Sequence, residues 1–140
     1  MDVAINYWAV LVAAIASMVV GWLWYGVFFK RQWMALMGYN ADSMKGMKMT
    51  ANKAYLIQFI ASFVMAYVLS HALVFASTYL QTSGASAGLL AGFWHWLGFI
   101  VPVSLGIVLW ENKSWSLWLI NASHYLVSLL VMGLILALWM

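Results

Sequence analysis

Four runs of the chain, residues 5–29, 54–76, 85–110 and 115–139, contain no Asp, Glu, Lys or Arg. Each exceeds the roughly 20 apolar residues that cross a bilayer as a helix. Backbone groups in lipid have no water to pair with, so a run of this length must satisfy its own N–H and C=O groups, and a helix does so. Composition agrees. The 140 residues are 67% hydrophobic and 6% charged, whereas soluble domains are about 45–50% apolar and about 25% charged. The expectation is an all-α membrane protein. Residues 1–140 form a single domain, a four-transmembrane-helix bundle with up-down topology.

The N-terminus has no basic segment ahead of its apolar run, and that run is longer than a signal-peptide core. It is expected to stay as the first membrane helix. The chain has no cysteine, which removes disulfides, thiolate metal sites and thiol nucleophiles. The net charge is +3. Its basic residues mostly lie in one loop, which argues against a nucleic-acid partner; the lipid bilayer is the expected surrounding.

That loop sets the orientation. Residues 30–53 hold Lys30, Arg31, Lys45, Lys48 and Lys53 against Asp42, and Lys113 lies beside Glu111 in the third connection. "STYLQTSG", after the second run, is uncharged. Basic loops stay in the cytoplasm, so the bundle is expected N-out/C-out, multi-pass in a bacterial inner (plasma) membrane. "RQWMALMGY" spaces Trp33, Leu36 and Met37 for one helical face and ends at Gly38. This predicts a short interfacial helix in the first cytoplasmic loop. Met44, Met47 and Met49 offer thioethers of the kind that suit Cu(I). With no Cys or His beside them, they read better as part of an amphipathic patch, and no metal or cofactor is expected.

Helical phase sorts the polar residues. In the third run Gly84, Gly88, Ala91, Gly92, His95, Gly98, Pro102 and Gly106 fall on one side, with Leu90, Leu97, Val101 and Val108 opposite. Small residues four apart allow helix backbones to approach closely, and Pro102 is expected to kink this helix. The first run has a matching stripe of Ala9, Ala13, Ser17 and Gly21. The fourth gathers Asn121, His124, Tyr125 and Ser128, and the second places Gln58 and Ser62 together near its inner end. His71 lies on another face, near the outer end. The expected polar interior therefore joins His95, His124, Asn121, Ser128, Gln58 and Ser17. The packing positions are Gly84, Gly88, Gly92, Gly98, Pro102, Ala13 and Gly21.

"GWLWYGVFF" (residues 21–29), "WLGFIVP" (residues 96–102) and "ENKSWSLWLIN" (residues 111–121), in this order, resemble a family of small bacterial integral membrane proteins with four helices, catalogued as a domain of unknown function. The resemblance spans nearly the whole chain. It implies a Gly-aromatic exit from the first helix, the Gly and Pro of the third, and a charged turn into the fourth. It implies no activity, substrate or catalytic residue.

No Ser-His-acid, paired-carboxylate or HExxH grouping is present, so the chain is not expected to be an enzyme. The first functional expectation is a structural or accessory membrane component, forming a homo-oligomer or meeting another membrane protein. The second is a small channel or transporter with a polar interior around His95 and His124, since ionisable groups inside membranes mark such paths. The third is a haem-binding redox protein held by two histidines. His95 and His124 are disfavoured as that pair, at about 12 and about 20 Å from the outer ends of their helices.

Overall fold

The structure, a computed structural model, describes residues 3–140. Four of its helices are long and apolar enough to cross a membrane: α1 (Tyr7–Phe28), α4 (Ala51–Leu80), α5 (Gly84–Leu109) and α6 (Trp115–Leu138). Two short helices, α2 (Lys30–Met37) and α3 (Ala41–Lys45), fill the first connection. No strand occurs among the described residues.

Local chemistry fixes the ends. The Asn6 side chain accepts from the N–H groups of Trp8 and Ala9, capping α1. Its amide donates to Trp139 O at 2.8 Å, so the start of α1 and the end of α6 lie at one end of the bundle. Gly38 closes α2 with φ +74°, the left-handed conformation that glycine adopts without strain, and the Tyr39 N–H returns to Met34 O. Asn40 and Ser43 form a reciprocal capping box at α3. Ser114 caps α6 through the Leu117 N–H. Helix α4 has 30 residues, about 45 Å of helix. It outruns the ~30 Å hydrocarbon layer and carries Lys53 on its overhang.

Helix α6 is the centre of the bundle: it packs against α1, α4 and α5, with its most extensive interface on α5. At the end of the bundle marked by Asn6 and Trp139 the interior is apolar and sealed. Ala9, Val10 and Ala13 of α1, Ala66, Leu69 and Leu73 of α4, and Leu129, Met132 and Leu136 of α6 are buried together. The α5–α6 interface is closer still. A Cβ on Gly88 would overlap the Gly133 carbonyl oxygen and stand 2.8 Å from the Ala137 Cβ; one on Gly92 would stand 2.5 Å from Leu129 O. Gly88 packs on Gly133 and Gly92 on the Leu129 carbonyl, so both glycines lie in the contact with α6.

Two other expected packing glycines are not. Gly98 and Gly84 have open space where a Cβ would be; Gly84 instead takes φ +73° at the start of α5. Pro102 is exposed. The helical ladder around it is altered: residues Trp96–Ile100 form a π turn, and the Val101 N–H reaches back five residues to Trp96 O. Helix α1 has its own π stretch, Leu23–Phe28, where the Phe29 N–H bonds Trp24 O at 2.9 Å. An extra residue per turn rotates the side chains that follow and marks many functional sites.

Candidate functional site

Toward the end of the bundle that carries the 30–50 connection, the helices part around a cavity of about 330 Å³. Helix α1 contributes Ser17, Met18, Gly21, Trp22, Tyr25 and Gly26. Helix α4 contributes Tyr55, Gln58, Ser62 and Met65, and α6 contributes His124 and Tyr125. Trp33 of α2 and Met44 of α3 complete the wall, so the first connection borders the cavity. Among the described residues no charged side chain lines it.

The stripe on α1 makes room for α6. Ala13 and Ser17 are buried, and a Cβ on Gly21 would lie 3.3 Å from the His124 Nε2. Around that imidazole the Tyr25 hydroxyl donates to Asn121 Oδ1 at 2.8 Å, and the Tyr25 ring lies 5.0 Å from the His124 ring. Ser128 Oγ stands 3.4 Å from His124 Nε2, a long contact. Three indoles then tie other helices to this stretch of α6 and its start. Trp24 donates to Ile120 O at 3.0 Å, Trp96 to Ala122 O at 2.8 Å, and Trp118 to Ser104 Oγ at 2.9 Å. Trp24 and Trp96 belong to the two π stretches.

The three histidines differ in one respect. His71 Nδ1 pairs with the carbonyl four residues back, Tyr67 O, at 2.9 Å. His95 Nδ1 does the same with Ala91 O at 2.7 Å. For His124 the equivalent acceptor is Ile120 O, and the Trp24 indole already occupies it, joined by Ser123 Oγ at 3.1 Å. His124 Nδ1 is buried without a hydrogen-bond partner. A buried polar group left so costs about 1–3 kcal/mol, and such exceptions mark strain or a missing partner.

Of the expected polar interior, Ser17, Asn121, His124 and Ser128 come together between α1 and α6, and Gln58 joins them on the cavity wall from α4, at an exposed position. His95 does not. It lies in a separate apolar groove of about 460 Å³ between α4 and α5, with Val64, Val68, Phe99, Ile100 and Leu129. Gly88 and Gly92 face α6, whereas the groove that holds His95 is walled mainly by α4, with Leu129 of α6. His95 and His124 therefore lie on the walls of different cavities. His71 packs on Tyr67 at 4.4 Å, away from the cavity, as expected. Met44, Met47 and Met49 are all exposed, and Met44 also lines the cavity. Among the described residues no group of three His, Cys, Asp or Glu side chains could hold a metal.

Sequence reasoning missed Trp24 and Trp96 as structural donors, although an indole N–H inside an apolar run needs an acceptor. It also missed Gly133, whose four-residue spacing to Ala137 repeats the small-residue signal.

Comparison with curated proteins and with solved structures finds no match. Residues 8–137 match a family described as protein of unknown function (DUF1761), and the chain belongs to that family.

Proposed function

We propose that this protein is an integral membrane protein that binds a small molecule in the cavity between α1, α4 and α6. The observation that carries this reading is His124, a buried imidazole on the cavity wall whose Nδ1 has no partner. Binding pockets are mostly apolar with a few converging polar groups, and this wall has that character. The basic 30–53 loop supports a cytoplasmic mouth with both termini outside, in the inner membrane of a bacterium. The helix Lys30–Met37 then lies in the inner interface, where Trp33 is anchored beside the cavity.

Thermal unfolding of the purified protein against a panel of neutral, anionic and cationic small molecules tests the reading, since a ligand that binds only the folded state raises the midpoint. Gln58→Trp serves as the control: it fills the mouth from an exposed position and is expected to abolish any such rise. A panel with no saturable rise, or rises indifferent to Gln58→Trp, would contradict the proposal. A second reading, a structural or accessory component, is favoured by the Gly88–Gly133 contact, which serves rigid packing and requires no ligand.

A further inference from the structure

We infer that the ligand of this cavity is an uncharged planar ring bearing a hydrogen-bonding oxygen, the chemistry of a quinone or a phenol, and that His124 is its hydrogen-bond partner; the inference rests on the small-molecule reading above. Three observations select that class.

Charge comes first. Among the described residues no charged side chain lines the cavity, and an ion taken out of water without a counter-charge is strongly penalised. An aromatic wall attracts cations in other settings. Here the adjoining loop carries Lys30, Arg31, Lys45, Lys48 and Lys53 against Asp42, which opposes the entry of a cation. The ligand is therefore neutral.

Shape comes second. Trp22, Tyr25, Trp33, Tyr55 and Tyr125 supply aromatic rings from four helices around about 330 Å³. Offset or edge-on contacts with a flat ring satisfy such a wall better than contacts with a flexible chain do. A volume of this size holds a ring and not a long tail, so a lipid-soluble ligand would leave its tail outside.

The polar end comes third. Among the described residues, the buried side-chain nitrogen without a partner is that of His124, Nδ1, on this cavity's wall. It is kept from its own helix because the π stretch of α1 delivers the Trp24 indole to Ile120 O. His71 and His95, with no such competitor, are both closed on their own helices. Trp24 is thus a positioning residue that holds the His124 Nδ1 free. A turn of the imidazole about its Cβ–Cγ bond then presents a nitrogen to a ring oxygen.

The test uses the full chain in detergent micelles, with duroquinone, a tetramethylated benzoquinone, as the probe. Two comparison probes are tetraethylammonium, a cation, and decanol, a neutral alcohol without a ring. Thermal unfolding gives apparent affinity, and nitrogen NMR of labelled histidine reads the His124 Nδ1. Duroquinone is expected to raise the midpoint saturably and to shift the His124 signal. His124→Phe should weaken binding at least about tenfold, the value of one good hydrogen bond. Trp24→Phe should weaken it as well, because Nδ1 then closes on Ile120 O, and its NMR signal should come to resemble those of His71 and His95. His95→Gln should leave binding unchanged. Should His124→Phe fail to fold, Trp24→Phe and the His124 shift in the native chain carry the test. Duroquinone affinity in folded His124→Phe and Trp24→Phe equal to that of the native chain would overturn the inference. Binding of decanol or tetraethylammonium but not duroquinone would overturn the ligand class and leave the small-molecule reading standing. Binding of no probe, together with a flat response across the wider panel, would overturn both.

Discussion

Gly88 and Gly133 meet backbone to backbone, so closely that a side chain on either would overlap the carbonyl oxygen of the other. Lipid supplies no hydrophobic drive between helices, so this contact holds α5 to α6 by packing itself. Gly88→Ala, Gly92→Ala and Gly133→Ala should each destabilise the bundle by about 1–3 kcal/mol, measured by steric trapping or unfolding in SDS. Gly98→Ala, with open space at its Cβ, should be neutral. Equal costs at Gly88 and Gly98 would place the interface elsewhere.

His95 carries the next expectation. Its groove is walled by Val64, Val68 and Phe99, and its Nδ1 bond stays within α5. His95→Leu should therefore fold with a loss below about 1 kcal/mol, comparable to a weak hydrogen bond in a membrane. A loss of several kcal/mol in the same unfolding assay would mean that the imidazole is tied to another helix.

The expectation that His95 would join His124 shows where the sequence stops being readable. Helical phase placed Gly88, Gly92 and His95 on one side of α5, and that side is right for the two glycines. A stripe names a side of a helix, though, and not the neighbour found there at each depth; crossing angles decide that. The spans themselves were legible because no charge interrupts them; the expected 54–76 is shorter than Ala51–Leu80 at both ends, most of all beside the uncharged 77–84 connection. The grouping of Ser17, Asn121, His124 and Ser128 was legible for the same reason as the glycines, since α1 and α6 stay together along that stretch. The π turns were not, because they depend on which acceptor the tertiary fold offers to Trp24 and Trp96.

Tyr25 and Asn121 provide a direct coupling test. Their 2.8 Å bond links α1 to α6 beside the cavity. A double-mutant cycle of Tyr25→Phe and Asn121→Ala should return a coupling of about 0.6 kcal/mol. The same cycle between Tyr25→Phe and His95→Gln should return none, since the two lie in different parts of the bundle.

Orientation is open to a simple assay. A reporter active only outside the cytoplasm, fused after Met140, should be active, and a cytoplasm-only reporter at the same point should be silent. The reverse pattern would place the basic 30–53 loop on the outer side and refute the proposed cytoplasmic mouth.

The central claim is that the Trp24 indole takes the place of His124 on its own helix carbonyl and leaves Nδ1 of this cavity-wall residue without a partner. Nitrogen NMR of histidine-labelled protein in lipid measures this directly, with His71→Gln, His95→Gln and His124→Gln assigning the three rings. The account predicts two Nδ1 atoms in protected bonds to helix carbonyls, from His71 and His95, and a third outside any such bond, which enters one in Trp24→Phe and not in Trp96→Phe. Three equivalent Nδ1 signals in the native chain, or a His124 signal indifferent to Trp24→Phe, would contradict it.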